Sequence, residues 1–83
     1  MDKDLDPDVK EVLEKIGAQV KKMRKANSTL DYQKFAKKEL PIGTIKYYRI
    51  ERGYGDYHIS NLLKVLRHYP DLKISDFFNA AGL

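Results

Sequence analysis

Cysteine is absent from the 83 residues of this chain, so neither a disulfide nor a thiolate-bound metal can support its fold. Long apolar runs are absent too, and no stretch approaches the ~18 apolar residues of a membrane-spanning helix. The first six residues are acidic and carry no apolar run, so a secretion signal is not expected. These absences favour a protein of the reducing cytoplasm, with no membrane partner.

Groups that could catalyse a reaction or bind a metal ion are sparse. The serines stand in cap-like or exposed positions, and their spacing suggests no cluster with a histidine and a carboxylate. His58 and His68 are ten residues apart, so they are poorly placed to converge with Asp56 and Asp71 on one ion. We therefore expect no enzymatic activity, no metal site and no cofactor.

The excess positive charge is concentrated in the middle of the chain. Residues 1–31 contain seven acids and seven bases, and residues 56–83 contain three of each. Residues 32–55 contain six bases and two acids, an excess of four that equals the net charge of the whole chain. A basic excess confined to one supersecondary unit is typical of proteins that bind nucleic acid.

The spacing of apolar residues predicts an all-α fold in a single domain over residues 7–83, preceded by an acidic tail at 1–6. Asp6 as N-cap and Pro7 as first helical residue indicate a first helix that ends near Lys25. Its apolar stripe consists of Val9, Val12, Leu13, Ile16, Val20 and Met23. Two later stripes predict a fourth and a fifth helix, and they contain Ile59, Leu62, Leu63, Leu66 and Tyr69, then Ile74, Phe77, Phe78 and Leu83.

Two shorter helices are predicted between these. The second runs from Tyr32 to about Glu39, capped by Asp31 and stopped by Pro41, which has no N–H and disfavours helical geometry before it. The third begins at Gly43–Thr44 and ends at Gly53, a candidate left-handed C-cap. Their inward side chains are expected to be Phe35, Ala36, Leu40, Ile42, Tyr47 and Ile50. Ala36 is expected to allow a close helix crossing, because its side chain is small.

The third helix is expected to present an unusual outward face. Isoleucine and tyrosine would be out of place on an ordinary solvated helix, but an isoleucine methyl can contact a thymine methyl and a tyrosine hydroxyl can bind phosphate. An arginine can donate two hydrogen bonds to a guanine edge. The outward residues, spaced by one, three and four, are Thr44, Ile45, Tyr48, Arg49 and Arg52.

Four segments of the sequence resemble the phage-repressor or Xre-type helix-turn-helix domain. They are Arg24, the run Tyr32–Ala36, the run Ile45–Gly53 with its Ile-Glu-Arg-Gly ending, and the run Ile59–Leu63. The resemblance covers roughly residues 12–78 and implies a five-helix lambda-repressor-like fold with its helix-turn-helix at about 32–52. Two departures predict a turn different from the family's usual one. The interval from Ala36 to Glu51 is one residue longer, and Pro41 stands where a glycine is usual.

The resemblance also implies roles for individual residues. Arg24 and Glu51 would form a buried or half-buried pair that locks the first helix to the third. The base-reading surface would consist of Thr44, Ile45, Tyr48 and Arg49. Tyr32 and Gln33 would approach phosphate or flanking bases, and the backbone at Tyr54 and Gly55 would approach phosphate.

The function expected from these features is sequence-specific binding of double-stranded DNA by a repressor-like transcriptional regulator. Lys34, Lys46 and Arg52 would neutralise phosphates. A homodimer on two half-sites is expected because one small domain makes few base contacts, with the Phe77, Phe78 and Leu83 end as its candidate interface. The alternative is a protein-interaction or antitoxin-like module on the same scaffold, with Ile45 and Tyr48 as anchors in an apolar contact.

Overall fold

A computed structural model describes residues 7–83, and these form five helices and no strand. The helices are α1 (Pro7–Asn27), α2 (Tyr32–Glu39), α3 (Thr44–Glu51), α4 (Ile59–Leu66) and α5 (Ile74–Ala80). The all-α prediction with five helices is therefore confirmed, while the acidic tail and the Asp6 cap lie outside the described residues. None of these helices has the length and apolar character that crossing a membrane requires.

The first helix is longer than predicted and leaves its first turns outside the core. It ends at Asn27 instead of Lys25, and the Asn27 side chain donates a 2.8 Å hydrogen bond to the Met23 carbonyl. Val9 and Val12 are exposed, although both belong to the predicted stripe. Only the second half of α1 contacts enough of the protein to bury its apolar residues fully.

The second helix begins and ends at the predicted residues. The Asp31 carboxylate accepts a 2.9 Å hydrogen bond from the Lys34 backbone N–H, which satisfies one of the donors left free in the first turn. Leu40 follows the helix in an extended conformation, as expected for a residue that precedes proline.

The connection between α2 and α3 is a turn that spans Leu40 to Gly43. Gly43 has a φ of 85°, a left-handed value that a residue with a Cβ rarely adopts. The residue with the positive φ therefore stands two positions after Pro41, immediately before α3.

The core is organised around α3, which contacts α1, α2 and α4. Tyr47 and Ile50 are fully buried, and every inward residue predicted for α2, the turn and α3 is buried. The helix ends at Glu51, two residues before the predicted end, and Gly53 follows with the expected positive φ of 77°. The buried core consists of Ile16, Val20, Phe35, Ala36, Leu40, Ile42, Tyr47, Ile50, Leu62, Val65, Leu66 and Phe77.

At Gly17, a residue that the hydrophobic spacing does not single out, α1 lies very close to the backbone of α3. A Cβ added at Gly17 would lie 2.6 Å from the carbonyl oxygens of both Ile50 and Glu51. Backbone atoms cannot move aside as a flexible side chain can, so this position requires a residue without a side chain. Ala36 is fully buried, as expected for a small residue in the core, but the contact that demands the absence of a Cβ belongs to Gly17.

The predicted stripes of α4 and α5 are partly wrong. Ile59 and Ile74 are 62% and 50% exposed, and Leu63 is also exposed, whereas Val65 takes a place in the core. The buried side of α4 includes the polar residue Asn61, so apolar spacing alone did not locate that side. In α5, Phe77 is fully buried and Phe78 packs against the core, which leaves Leu83 as the exposed member of the predicted dimer end.

Gly17→Ala tests the close crossing of α1 and α3. In an isolated helix this change would stabilise by about 1 kcal/mol, because alanine is the better helix former. Here we expect the free energy of unfolding to fall by about 1–3 kcal/mol, since the new methyl group meets two carbonyl oxygens. Urea denaturation followed by circular dichroism measures the difference, and a more stable variant would show that the two helices do not approach this closely.

Candidate functional site

Arg24 and Glu51 form a bidentate ion pair between the end of α1 and the last turn of α3. Arg24 Nε donates to Glu51 Oε2 at 2.7 Å, and Arg24 Nη2 donates to Glu51 Oε1 at 3.2 Å. The two side chains are only 8% and 6% exposed. The hydrogen bond to Glu51 raises the pKa of Arg24, and the guanidinium is charged at any physiological pH.

The same guanidinium reaches a third part of the chain. Arg24 Nη1 donates a 2.9 Å hydrogen bond to the carbonyl of Leu30, just before α2. Arg24 therefore connects α1, the start of α2 and the end of α3. Its charge also offsets the unfavourable position of Glu51, a carboxylate at the negative end of the α3 dipole.

Two buried tyrosine hydroxyls lie near this ion pair. Neither the Tyr47 nor the Tyr69 hydroxyl has a hydrogen-bond partner in the described part of the chain. Burial raises the pKa of Tyr69 to about 12, and the negative charge of Glu51 contributes to the rise. Burial also raises the pKa of Tyr47, with a further contribution from Glu51. Both hydroxyls therefore stay neutral at physiological pH, and Arg24–Glu51 is the charged centre of the interior.

The outward face of α3 carries the residues predicted for base reading, with different exposures. Ile45 is 71% exposed, more than any other large hydrophobic residue in the described part of the chain. Lys46 and Arg52 are exposed, whereas Thr44, Tyr48 and Arg49 are half-buried. The face thus combines an apolar projection with basic side chains.

Three predicted site residues from different segments meet in an aromatic cluster. The rings of Tyr32 (α2) and Tyr48 (α3) are 5.0 Å apart, and Tyr54, in the connection after α3, lies 6.1 Å from Tyr48 with its ring edge-on. The guanidinium carbon of Arg52 lies 5.7 Å from the centre of the Tyr48 ring, within the range of a cation–π contact. Tyr48 therefore joins one end of α2 to the outward face of α3.

A shallow groove of about 420 Å³ lies beside this cluster, between α1 and α3. Its walls include Tyr32 and Tyr48, the Arg24–Glu51 pair, and two exposed basic residues, Lys21 and Arg52. Gln33 and Lys34 are exposed on α2 outside this groove.

Asp56 entered the sequence analysis only as an unfavourable metal ligand, and its contact with Arg49 was not predicted. Its carboxylate accepts a hydrogen bond from Arg49 Nη1, and the two groups form an ion pair. Both side chains are partly exposed. The residues are seven apart, on α3 and on the connection to α4. Because Asp56 lies outside α3, the helix does not bring the two residues together, and their contact depends on the path of that connection.

No protein-family model, curated protein or solved structure matches this chain. Within residues 7–83, no group of three or more histidine, cysteine, aspartate or glutamate side chains could hold a metal ion. The geometry of α3 and its surroundings is therefore the basis on which a function can be proposed.

Glu51→Ala tests whether the buried pair holds the fold together. Removing the carboxylate leaves the Arg24 charge buried, so we expect the free energy of unfolding to fall by about 3–5 kcal/mol. Glu11→Ala is the matched control, since Glu11 pairs with Lys15 at 3.9 Å on the exposed side of α1. That change is expected to cost less than about 1 kcal/mol. Urea denaturation at neutral pH compares the two, and equal midpoints would contradict the structural role of Arg24–Glu51.

Proposed function

We propose that this protein binds double-stranded DNA in a sequence-specific manner, as a repressor-like transcriptional regulator of the cytoplasm. The proposal takes α2, the Leu40–Gly43 turn and α3 as a helix-turn-helix of the lambda-repressor-like type, with α3 as the recognition helix. The observation that carries it is the outward face of α3. An exposed isoleucine and basic side chains project there from a helix whose other face is fully buried.

The charges around α3 support this choice. Of the two acids in residues 32–55, Glu51 is buried against Arg24, so its charge is withdrawn from the surface. The lysines of this segment, together with Arg52, are exposed. Such a surface attracts phosphates at long range, and bound counterions are released when the lysines contact DNA.

In the proposed complex, one set of residues contacts phosphates and positions the protein on DNA, and a second set contacts the bases. Lys34, Lys46 and Arg52 contact phosphates, as do Tyr32, Gln33 and the backbone at Tyr54 near the edge of the surface. Thr44, Ile45, Tyr48 and Arg49 face the bases, with Ile45 against a thymine methyl and Arg49 against a guanine edge. The Arg24–Glu51 pair and Gly17 set the direction in which α3 projects. A rigid recognition helix is needed because base contacts depend on its position in the groove.

Arg49→Ala and Lys46→Ala test the two roles. Arg49→Ala is expected to weaken binding to a preferred duplex by about 1–3 kcal/mol, and binding to unrelated duplexes by less, because a guanine contact is lost. Lys46→Ala is expected to weaken binding to all duplexes similarly and to reduce the slope of log K against log salt by about 1. Fluorescence anisotropy measures both, on a duplex selected from a random pool and on an unrelated duplex.

Lys73→Ala is the charge-matched control, since Lys73 is exposed at the start of α5, outside the proposed surface. It is expected to keep the salt slope of the unaltered protein. Failure of the unaltered protein to bind any duplex at low salt would contradict the proposed function.

A homodimer is proposed on the face formed by α4 and α5. Leu63 and Ile74 line a groove of about 540 Å³, and the exposed Ile59 stands one helical turn before Leu63. An exposed apolar group of this kind is characteristic of an interaction site. Residues 56–83 contain equal numbers of acids and bases, as suits a surface that must complement its own copy. We prefer this face to the C-terminal end, where Phe77 is buried, Phe78 packs against the core and Leu83 alone of the three is exposed.

Ile59→Glu and Ile45→Glu form a matched pair that tests this interface, because each places the same carboxylate at an exposed isoleucine. Ile59→Glu is expected to convert the dimer to a monomer, since a charge would be buried in an apolar contact. Ile45→Glu is expected to remain dimeric and to lose DNA binding. Sedimentation equilibrium measures the first property and anisotropy the second. A dimer that persists in Ile59→Glu would contradict the α4–α5 interface.

The second candidate is a protein-interaction module, favoured by the 71% exposure of Ile45. In that function Ile45 and Tyr48 are anchors in an apolar contact with a partner protein. The same pair of variants distinguishes the two functions. Negligible duplex affinity of the unaltered protein would favour the protein module, and loss of self-association in Ile45→Glu would identify its partner as a second copy of the chain.

A further inference from the structure

We propose that Asp56 is a specificity-determining residue, which orients the guanidinium of Arg49 for a planar edge with two acceptors, such as that of guanine. This inference rests on the proposed DNA-binding function. It assigns a role to an acidic residue beside a surface that is otherwise basic, where a carboxylate opposes attraction to phosphate.

The first step is the position of the two residues. Arg49 is one helical turn after Ile45, so the two side chains project from the same face of α3. Asp56 lies in the connection between α3 and α4, and its carboxylate binds Arg49 from the side of that connection. The partner of Arg49 therefore belongs to a separate segment, which can hold the guanidinium at a defined place on the surface.

The second step is the atom that Asp56 uses. Its contact is with Nη1 of Arg49, and a guanidinium carries five N–H donors in a planar fork. Binding at Nη1 leaves the Nε and Nη2 donors free along another edge of the planar group. Arg24 uses this same pair of donors to bind both oxygens of Glu51, so the chain itself shows the bidentate geometry. Asp56 and a guanine edge can therefore bind Arg49 simultaneously.

The third step is the strength of the pair. The side chains of Arg49 and Asp56 are 40% and 48% exposed, so water and salt weaken their attraction. In this proposal the contact restricts the rotamers of the long Arg49 side chain, which reduces the entropy lost when Arg49 binds a base. It also neutralises Arg49 locally, which reduces its attraction to phosphates of any sequence. Both effects increase the ratio of specific to non-specific affinity.

The experiment compares Asp56→Ala with Asp71→Ala, which removes the same charge from an exposed aspartate in the connection between α4 and α5. Affinities of the full chain are measured for the selected duplex and for an unrelated duplex. Asp56→Ala is expected to strengthen binding to the unrelated duplex and to lower the ratio of the two affinities by about 3- to 10-fold. Asp71→Ala is expected to leave the ratio within about twofold.

A double-mutant cycle identifies the residue through which Asp56 acts. In an Arg49→Ala background, Asp56→Ala is expected to leave the affinity ratio unchanged, because no guanidinium remains to be oriented. Urea midpoints of all variants are compared with that of the unaltered protein, since the exposed pair should contribute little to stability.

The outcomes separate this inference from the function on which it rests. If the unaltered protein selects a duplex but Asp56→Ala and Asp71→Ala change the ratio equally, Asp56 acts only as a charge and the inference is overturned. The same holds if Asp56→Ala lowers the ratio as much without Arg49 as with it. If the unaltered protein binds no duplex, the proposed function and the role of Asp56 both fail.

Discussion

The geometry of this protein depends on one buried ion pair, Arg24–Glu51, together with the helix contact beside it. A buried charge pair contributes little net stability compared with apolar residues of the same size, but it is satisfied only in one arrangement. Arg24 also binds the carbonyl before α2, so three segments must be in place before its donors are paired. Gly17 allows α1 to approach the end of α3 until the backbones touch. The direction of α3 is thereby determined from its C-terminal end.

Two exposed faces of the protein carry different kinds of side chain. One face combines the basic side chains of residues 32–55 with the exposed Ile45, and the α4–α5 face exposes Ile59, Leu63 and Ile74 around a groove. We propose DNA for the first and a second copy of the chain for the other. A small domain that reads DNA with few side chains would gain specificity in two ways. A dimer doubles the number of base contacts, and an oriented arginine makes its own contact more selective.

The prediction from sequence was most accurate where structure is controlled by near neighbours. The α2 helix begins after Asp31 and ends before Pro41 because the cap and the proline act on adjacent backbone groups. The inward residues of α2 and α3 were also predicted correctly, although α3 carries an isoleucine and a tyrosine on its outward face as well. The Arg24–Glu51 pair is present, although it was expected only through a family resemblance and not through any local pattern.

The prediction failed where several arrangements satisfy the same pattern. The buried side of α4 includes the polar residue Asn61, so apolar spacing did not reveal that Val65 is buried while Ile59 and Leu63 face outward. Gly17 was overlooked because a glycine inside a helix carries no hydrophobic signal. Asp56 was overlooked because its contact with Arg49 depends on the path of an irregular connection.

The order of the residues was enough to predict the number of helices, both ends of α2, the start of α3, and the concentration of positive charge around α3. These follow from caps, prolines, apolar spacing and composition, all of which act over a few residues or none at all. The buried face of α4, the contact between α1 and α3, and the carboxylate that binds Arg49 became known only from the folded arrangement of the helices. Each of these depends on distances between segments that are remote in the chain, and such distances result from packing the whole core.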